Sequence, residues 1–181
     1  PNGNRKTWDF WGDNTDDVPF GDAVLVDVAK NYPIDLERIY VSGYSYGSAM
    51  AWRFACESGN DIAALIAVSG TLNQDVICPE GPREVRHVHG TNDTVMDFPF
   101  GRGGDTTYPV KLWRDKFGCG KGQGQGKWNA VDFLSFDRTT WDTCNDGHKV
   151  TLDVHAGGHF IPHGWIARQL DELLGRTPTY P

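Results

Sequence analysis

One pentapeptide constrains this chain more than any other feature. Gly43-Tyr44-Ser45-Tyr46-Gly47 sets a serine between two glycines. A β-branched run over residues 38–42 precedes it, and a stretch of helical spacing over 47–57 follows, with Met50, Ala51, Phe54 and Ala55 on one side. A chain that passes from a buried strand to a helix in so few residues must turn sharply, which lifts the serine hydroxyl clear of the sheet edge. Small residues are expected on both sides of that turn, because the flanking backbone crowds together there. In a chain with 22 glycines the bare spacing is a weak signal. The strand before it and the helix after it carry the reading.

The rest of the chain supplies strands and helices in alternation. Residues 1–15 read as loop. Asp16-Asp17 opens a helix whose apolar stripe is Phe20, Val24, Leu25 and Val28, running to about Asn31 and stopped by Pro33. Buried strands are expected over 62–68 and 84–89, a helix over 106–117, a flexible Gly/Gln/Lys loop over 118–126, strands over 131–136 and 149–155, and a closing helix over 164–174. Such alternation points to βαβ units and a mostly parallel sheet flanked by helices, an α/β fold. With 181 residues, one domain spanning 1–181 is expected.

A serine nucleophile needs a base, and the base needs an orienting carboxylate. In sheets of this kind the order is serine, acid, histidine, each on a loop after a later strand. Asp93 follows the strand that ends at His89, and His159 follows the strand that ends near His155. Asp97 competes as the acid but lies further from the strand end. His163 competes as the base but stands beyond Pro162, at the start of the last helix. His87, His89 and His155 fall within strands, where a satisfied structural role is commoner. No HExxH and no helical His pair is present, so no metal and no cofactor is expected. Asn92-Asp93-Thr94 matches the glycosylation pattern, but a glycan there would obstruct the acid, so it reads as a chance match.

Composition limits the partners. A net charge of −7 argues against nucleic acid or an anionic membrane surface. No apolar run reaches the roughly 18 residues that a spanning helix needs. The four cysteines, Cys56, Cys78, Cys119 and Cys144, are widely spaced and read as two disulfides in an oxidising, extracellular setting rather than as free thiols or a metal site. Their spacing leaves three connectivities open. Pairing of neighbours would close two loops, each contributing about 3 kcal/mol. Trp113, Trp128, Trp141 and Trp165 are candidates for an aromatic cleft, with core or rim packing the weightier reading.

Several runs carry a family likeness. Asp16-Asp17-Val18-Pro19-Phe20, Tyr32-Pro33-Ile34-Asp35, Arg38-Ile39-Tyr40-Val41 leading into Gly43-Tyr44-Ser45, Ala55-Cys56-Glu57, His89-Gly90-Thr91-Asn92-Asp93 and Gly158-His159-Phe160-Ile161-Pro162 together span most of the chain. They resemble the polyhydroxybutyrate depolymerase/feruloyl esterase family of the α/β-hydrolase superfamily, which also contains acetylxylan esterases. The resemblance implies a secreted serine esterase with Ser45 as nucleophile, Asp93 as acid and His159 as base, and a Cys56–Cys78 bridge. Its implied substrates are feruloyl or acetyl esters of plant polysaccharide, with polyester chains as the alternative.

Two departures stand out. Tyr46 and Ser48 occupy positions where the family has a small or amide residue and then paired glycines. The Tyr46 backbone N–H can still serve as an oxyanion donor. The family's chain also begins with further strands, including a His-Gly segment that gives the second oxyanion donor. Pro1-Asn2-Gly3 resembles the turn that follows those strands. The expectation is therefore a sheet short of its N-terminal strands. Either the missing part is supplied by another chain or segment, or the polypeptide is a catalytically impaired, carbohydrate- or polymer-binding remnant of the fold.

Overall fold

The structure, a computed structural model, describes residues 7–11, 15–101, 104–131 and 133–179. The Pro1-Asn2-Gly3 turn lies outside the described residues. Strands β1 (Tyr40–Tyr44), β2 (Ala64–Val68), β3 (Glu84–Gly90), β4 (Phe100–Gly101), β5 (Gly104–Asp105), β6 (Gln123–Val131), β7 (Leu134–Trp141) and β8 (Lys149–His155) alternate with four helices. These are α1 (Asp17–Asn31), α2 (Tyr46–Glu57), α3 (Tyr108–Lys116) and α4 (Trp165–Leu173). Six strands form one sheet in the order β1-β2-β3-β8-β7-β6, and β4 with β5 makes a separate small ribbon. The β1-β2-β3-β8 half is parallel, whereas β7 and β6 run antiparallel. The sheet is thus mixed and flanked by helices.

Register decides where the chemistry falls. Tyr44 pairs with Val68, and Gly90 pairs with His155, so β3 and β8 end level with each other. The loops that follow them therefore leave the sheet side by side, at the carboxyl ends of the parallel strands where α/β sheets place their sites. Every residue of β2 is buried, as a parallel strand covered on both faces requires. One face packs Trp52 and Ala55 of α2 and Val110 and Trp113 of α3 onto Leu65 and Val85. The other packs Trp165 of α4 onto Ile66, Val88 and Phe136.

The N-terminal helix behaves differently. Its apolar stripe does not enter either core: Val18 is its one buried residue, while Phe20 and Val24 are 50% and 45% exposed. That stripe instead lines a groove of about 780 Å³ with Trp8, Met50 and Phe54, alongside edge strand β1.

The segment 118–141 corrects two expectations. Residues 123–126 are not loop but the start of β6, and the strand expected over 131–136 is split, because β6 ends at Val131 and β7 begins at Leu134. Glycines and glutamines carry no apolar alternation to read. What holds β6 is its ladder to β7 and, further along, Trp128 stacked on Phe136 at 4.4 Å. Both disulfides are formed, Cys56–Cys78 and Cys119–Cys144.

Candidate active site

The nucleophile elbow is built by backbone crowding. Ser45 has φ 55° and ψ −123°, a region that costs a non-glycine residue of order 1–3 kcal/mol and persists only where the surroundings enforce it. Enforcement comes from two sides: the Ser45 N–H donates to the Val68 carbonyl at 3.0 Å, and its carbonyl accepts from Ala49 at 3.0 Å to start α2. Gly43 is obligatory, since a Cβ there would lie 2.1 Å from the Gly47 carbonyl oxygen. Gly47 is not, because a Cβ at that position meets nothing within 4 Å. The expected need for small residues on both sides holds for the first glycine only; the second faces the open groove. Tyr46 is the first residue of α2, where backbone N–H groups have no intrahelical partner.

Asp93 and His159 arrive from the paired ends of β3 and β8. Thr91 N–H donates to the His155 carbonyl at 2.8 Å and Asn92 N–H to the Gly157 carbonyl at 3.1 Å, lacing the two loops together. Their approach needs Gly90, where a Cβ would meet the Gly157 oxygen at 2.3 Å. The result is a continuous chain of hydrogen bonds. The His159 Nδ1–H donates to Asp93 Oδ2 at 2.7 Å, and Ser45 Oγ donates to His159 Nε2 at 2.8 Å. A carboxylate can only accept, so Asp93 fixes the proton on Nδ1 and leaves Nε2 as the basic nitrogen.

Asp93 is buried, yet ionised. Burial works to raise its pKa, but the Met96 N–H, the His159 ring and the Val95 N–H outweigh it and hold the carboxyl below its ordinary value. Both N–H groups donate to Oδ1, at 2.8 Å and 2.9 Å, leaving Oδ2 to the imidazole. Asp97 stands exposed further along the same loop, and His163 lies exposed beyond Pro162, just ahead of α4. Asn92 donates its amide to the Ala156 carbonyl at 2.7 Å.

Two residues around this chain were not read from the sequence as parts of the site. His89, assigned there to structure, donates its Nε2–H to the Met96 carbonyl at 2.7 Å, and the same nitrogen lies 3.5 Å from Asp93 Oδ2. Its Nδ1 accepts from His87 at 3.2 Å. Burial pushes the pKa of both rings down, so they stand neutral. The available signal was the His-x-His alternation, which puts both rings on one face of β3, with His89 four residues before Asp93. Tyr44 is the second: its hydroxyl donates to the His159 carbonyl at 3.0 Å, and its ring lies 4.9 Å from the imidazole. Burial and then the nearby Asp93 charge raise its pKa.

The tryptophans named as cleft candidates do not rim this site. Trp113 and Trp165 are fully buried, Trp141 nearly so, and Trp128 packs beneath the Arg168 and Arg138 guanidiniums. The rings of Phe10 and Trp11 instead meet that of Tyr46, the residue after Ser45 in the chain.

Known proteins resemble this chain in sequence and fold. A bifunctional acetylxylan esterase/xylanase of Neocallimastix patriciarum is 31% identical over 157 residues, which are 85% of this chain and 22% of that protein. Feruloyl esterase D of Neurospora crassa is 28% identical over 163 residues, 88% of this chain and 52% of that protein. The chain therefore spans between about a fifth and about half the length of these relatives. An acetyl xylan esterase from Aspergillus awamori superposes with a TM-score of 0.64 at 18% identity, covering 93% of this chain and 73% of that one, and so shares its fold. The family model for phospholipases and carboxylesterases matches residues 23–121, which hold Ser45 and Asp93. On that match, over more than half its length, the chain belongs to the phospholipase/carboxylesterase family of α/β-hydrolase folds.

Proposed function

We propose that residues 1–181 act as one catalytic domain, a serine carboxylic-ester hydrolase working through an acyl-enzyme. Ser45 Oγ attacks the ester carbonyl while His159 Nε2 takes its proton, and Asp93 holds the imidazole in the required tautomer and steadies the charge it gains. The Tyr46 N–H, at the positive end of α2, donates to the oxyanion of the tetrahedral intermediate. His159 then returns its proton to the leaving alcohol, and water, activated by the same imidazole, releases the acid. The observation that carries this reading is the unbroken run of 2.7 and 2.8 Å hydrogen bonds from Asp93 through His159 to Ser45.

The substrates we assign are feruloyl or acetyl esters of plant polysaccharide, on the strength of what the relatives are named for. An extracellular site of action belongs to the same proposal, supported by two formed disulfides.

A fluorophosphonate probe followed by peptide mapping tests the mechanism. An adduct on Ser45, lost in Ser45→Ala together with ester turnover, is the expected result. Ester turnover retained by Ser45→Ala would sink the assignment. No adduct on a folded chain would favour a binding protein on an impaired hydrolase fold.

A further inference from the structure

The acid of the proposed triad takes two of its hydrogen bonds from an exposed loop. Asp93 itself is buried, but the Val95 and Met96 N–H groups that donate to its Oδ1 belong to a stretch in which Thr94, Val95 and Asp97 are exposed. Surface loops are the more mobile parts of a fold. Donors on such a loop hold a carboxylate at one rotation only where the loop is itself tethered.

His89 supplies a tether. Its ring is fully buried on β3 and donates its Nε2–H to the Met96 carbonyl at 2.7 Å. Met96 is thereby held through both backbone groups, its N–H by Asp93 and its carbonyl by His89. A carbonyl can only accept, so the His89 proton sits on Nε2 and its Nδ1 is left as an acceptor. His87 provides the matching donor, with its Nε2 3.2 Å from that Nδ1. Trp52, His87, His89 and Phe98 form a chain of ring contacts, with successive centroids 5.5, 5.4 and 5.4 Å apart. Burying polar rings costs free energy that apolar side chains at the same positions would not. What the pair adds is an arm from a buried strand to the loop that holds the acid.

The same Nε2 lies 3.5 Å from Asp93 Oδ2, the oxygen that His159 Nδ1 reaches at 2.7 Å. Burial keeps the His89 ring neutral, so it does not stand as a second cation beside that oxygen. We propose that His89, oriented by His87, is a positioning residue for Asp93: through the Met96 backbone it fixes the rotation of the carboxylate so that Oδ2 faces His159. The proposal rests on the triad reading for its effect on turnover, but the alignment it describes is observable without turnover.

The experiment compares wild type with His89→Leu, His89→Gln and His89→Asn. A glutamine amide can place an N–H near the position of the ring Nε2, whereas an asparagine amide reaches only the Nδ1 position. One readout is the low-field proton resonance of a His159 Nδ1–H bonded to a carboxylate, assigned by its absence in Asp93→Asn. The other is kcat and KM for methyl butyrate. His89→Leu and His89→Asn are expected to lose the resonance and to lower kcat by about 10²-fold, with KM changed by less than about twofold. His89→Gln should keep the resonance and recover most of kcat.

A wild-type resonance or a wild-type kcat in His89→Leu or His89→Asn overturns the positioning role. Equal losses in His89→Asn and His89→Gln overturn it as well, because they mark a purely structural effect of removing the ring. If His89→Leu does not fold, His89→Gln and His89→Asn decide alone. A wild type that cleaves no ester, with a resonance that follows residue 89 as expected, keeps the positioning role and sinks the hydrolase reading. One that cleaves ester without a low-field resonance does the reverse.

Discussion

The sheet has a closed flank and an open one, and the proposed triad straddles them. Asp93 and His159 follow β3 and β8, adjacent interior strands whose surroundings are buried and laced by hydrogen bonds. Ser45 follows β1, the edge strand, which pairs on one side with β2 and has the apolar groove alongside it. On the closed flank a buried carboxylate is matched at both of its oxygens. The Arg138 guanidinium grips both oxygens of buried Asp153, at 2.8 and 2.7 Å, and Trp165 donates to the same carboxylate at 2.8 Å. On the open flank the apolar stripe of α1 stays partly in solvent, with Phe20 half exposed. In the proposed site the acid and base are held by paired interior strands, whereas the serine is held by its strained elbow and one N–H bond to Val68 of β2.

Four substitutions and one condition test that contrast. The largest effect is expected on the closed flank, from Asp93→Asn. Loss of the carboxylate that fixes the His159 tautomer should lower kcat by about 10⁴-fold with the melting temperature little changed. A variant within tenfold of wild type would show that the elbow, not the acid, governs turnover. Core packing gives the next largest difference. Trp52 of α2, fully buried against the sheet, should cost about 3–5 kcal/mol on replacement by alanine. Phe20→Ala in the groove should cost under about 1 kcal/mol by denaturant unfolding. A loss of 2 kcal/mol or more at Phe20 would mean that the groove is covered in solution.

Acid should act on the closed flank. Burial lowers the pKa of His155 from 6.5 to about 4 and depresses His87 and His89 in the same direction. The unfolded chain takes up these protons near pH 6.5 and the folded chain does not. Stability is therefore full above pH 6.5 and drains as the pH falls towards 4, by about 3 kcal/mol for His155. Melting curves between pH 7.5 and 4 measure this, and a flat profile would show these rings to be solvated in the fold. The smallest effect belongs to the open flank: Gly47→Ala should change stability by no more than about 0.5 kcal/mol and leave Ser45 reactive towards fluorophosphonate.

How far the sequence could be read follows the same division. The strand-serine-helix turn was legible because its constraint is local, and Lys149–His155 was legible because its alternation is clean. The order of serine, acid and histidine located all three side chains that the structure brings together. The 123–141 hairpin was not legible, since Gly124 and Gly126 carry no pattern and the strand exists through its partner β7. Nor was the fate of Phe20 and Val24. Helical spacing shows that a stripe exists, but not whether a neighbour covers it. His89 was missed for a related reason. A histidine inside a strand satisfies the structural reading until the loop beyond it folds back and brings Asp93 within 3.5 Å.

The two disulfides carry a consequence for how such a chain survives among proteases. Cys56–Cys78 and Cys119–Cys144 each close a short stretch, and Ser45, Asp93 and His159 all lie outside both. Lys121, Gly124 and Lys127, at the start of the hairpin, are exposed and lie inside the second bridge, in a stretch open to nicking. A cut there leaves Ser45 and Asp93 on one fragment and His159 on the other. The fragments stay joined through Cys119 and Cys144, and through the strands that still pair across the break. Damage at that exposed stretch is thus kept from becoming dissociation, and a reducing environment removes that protection.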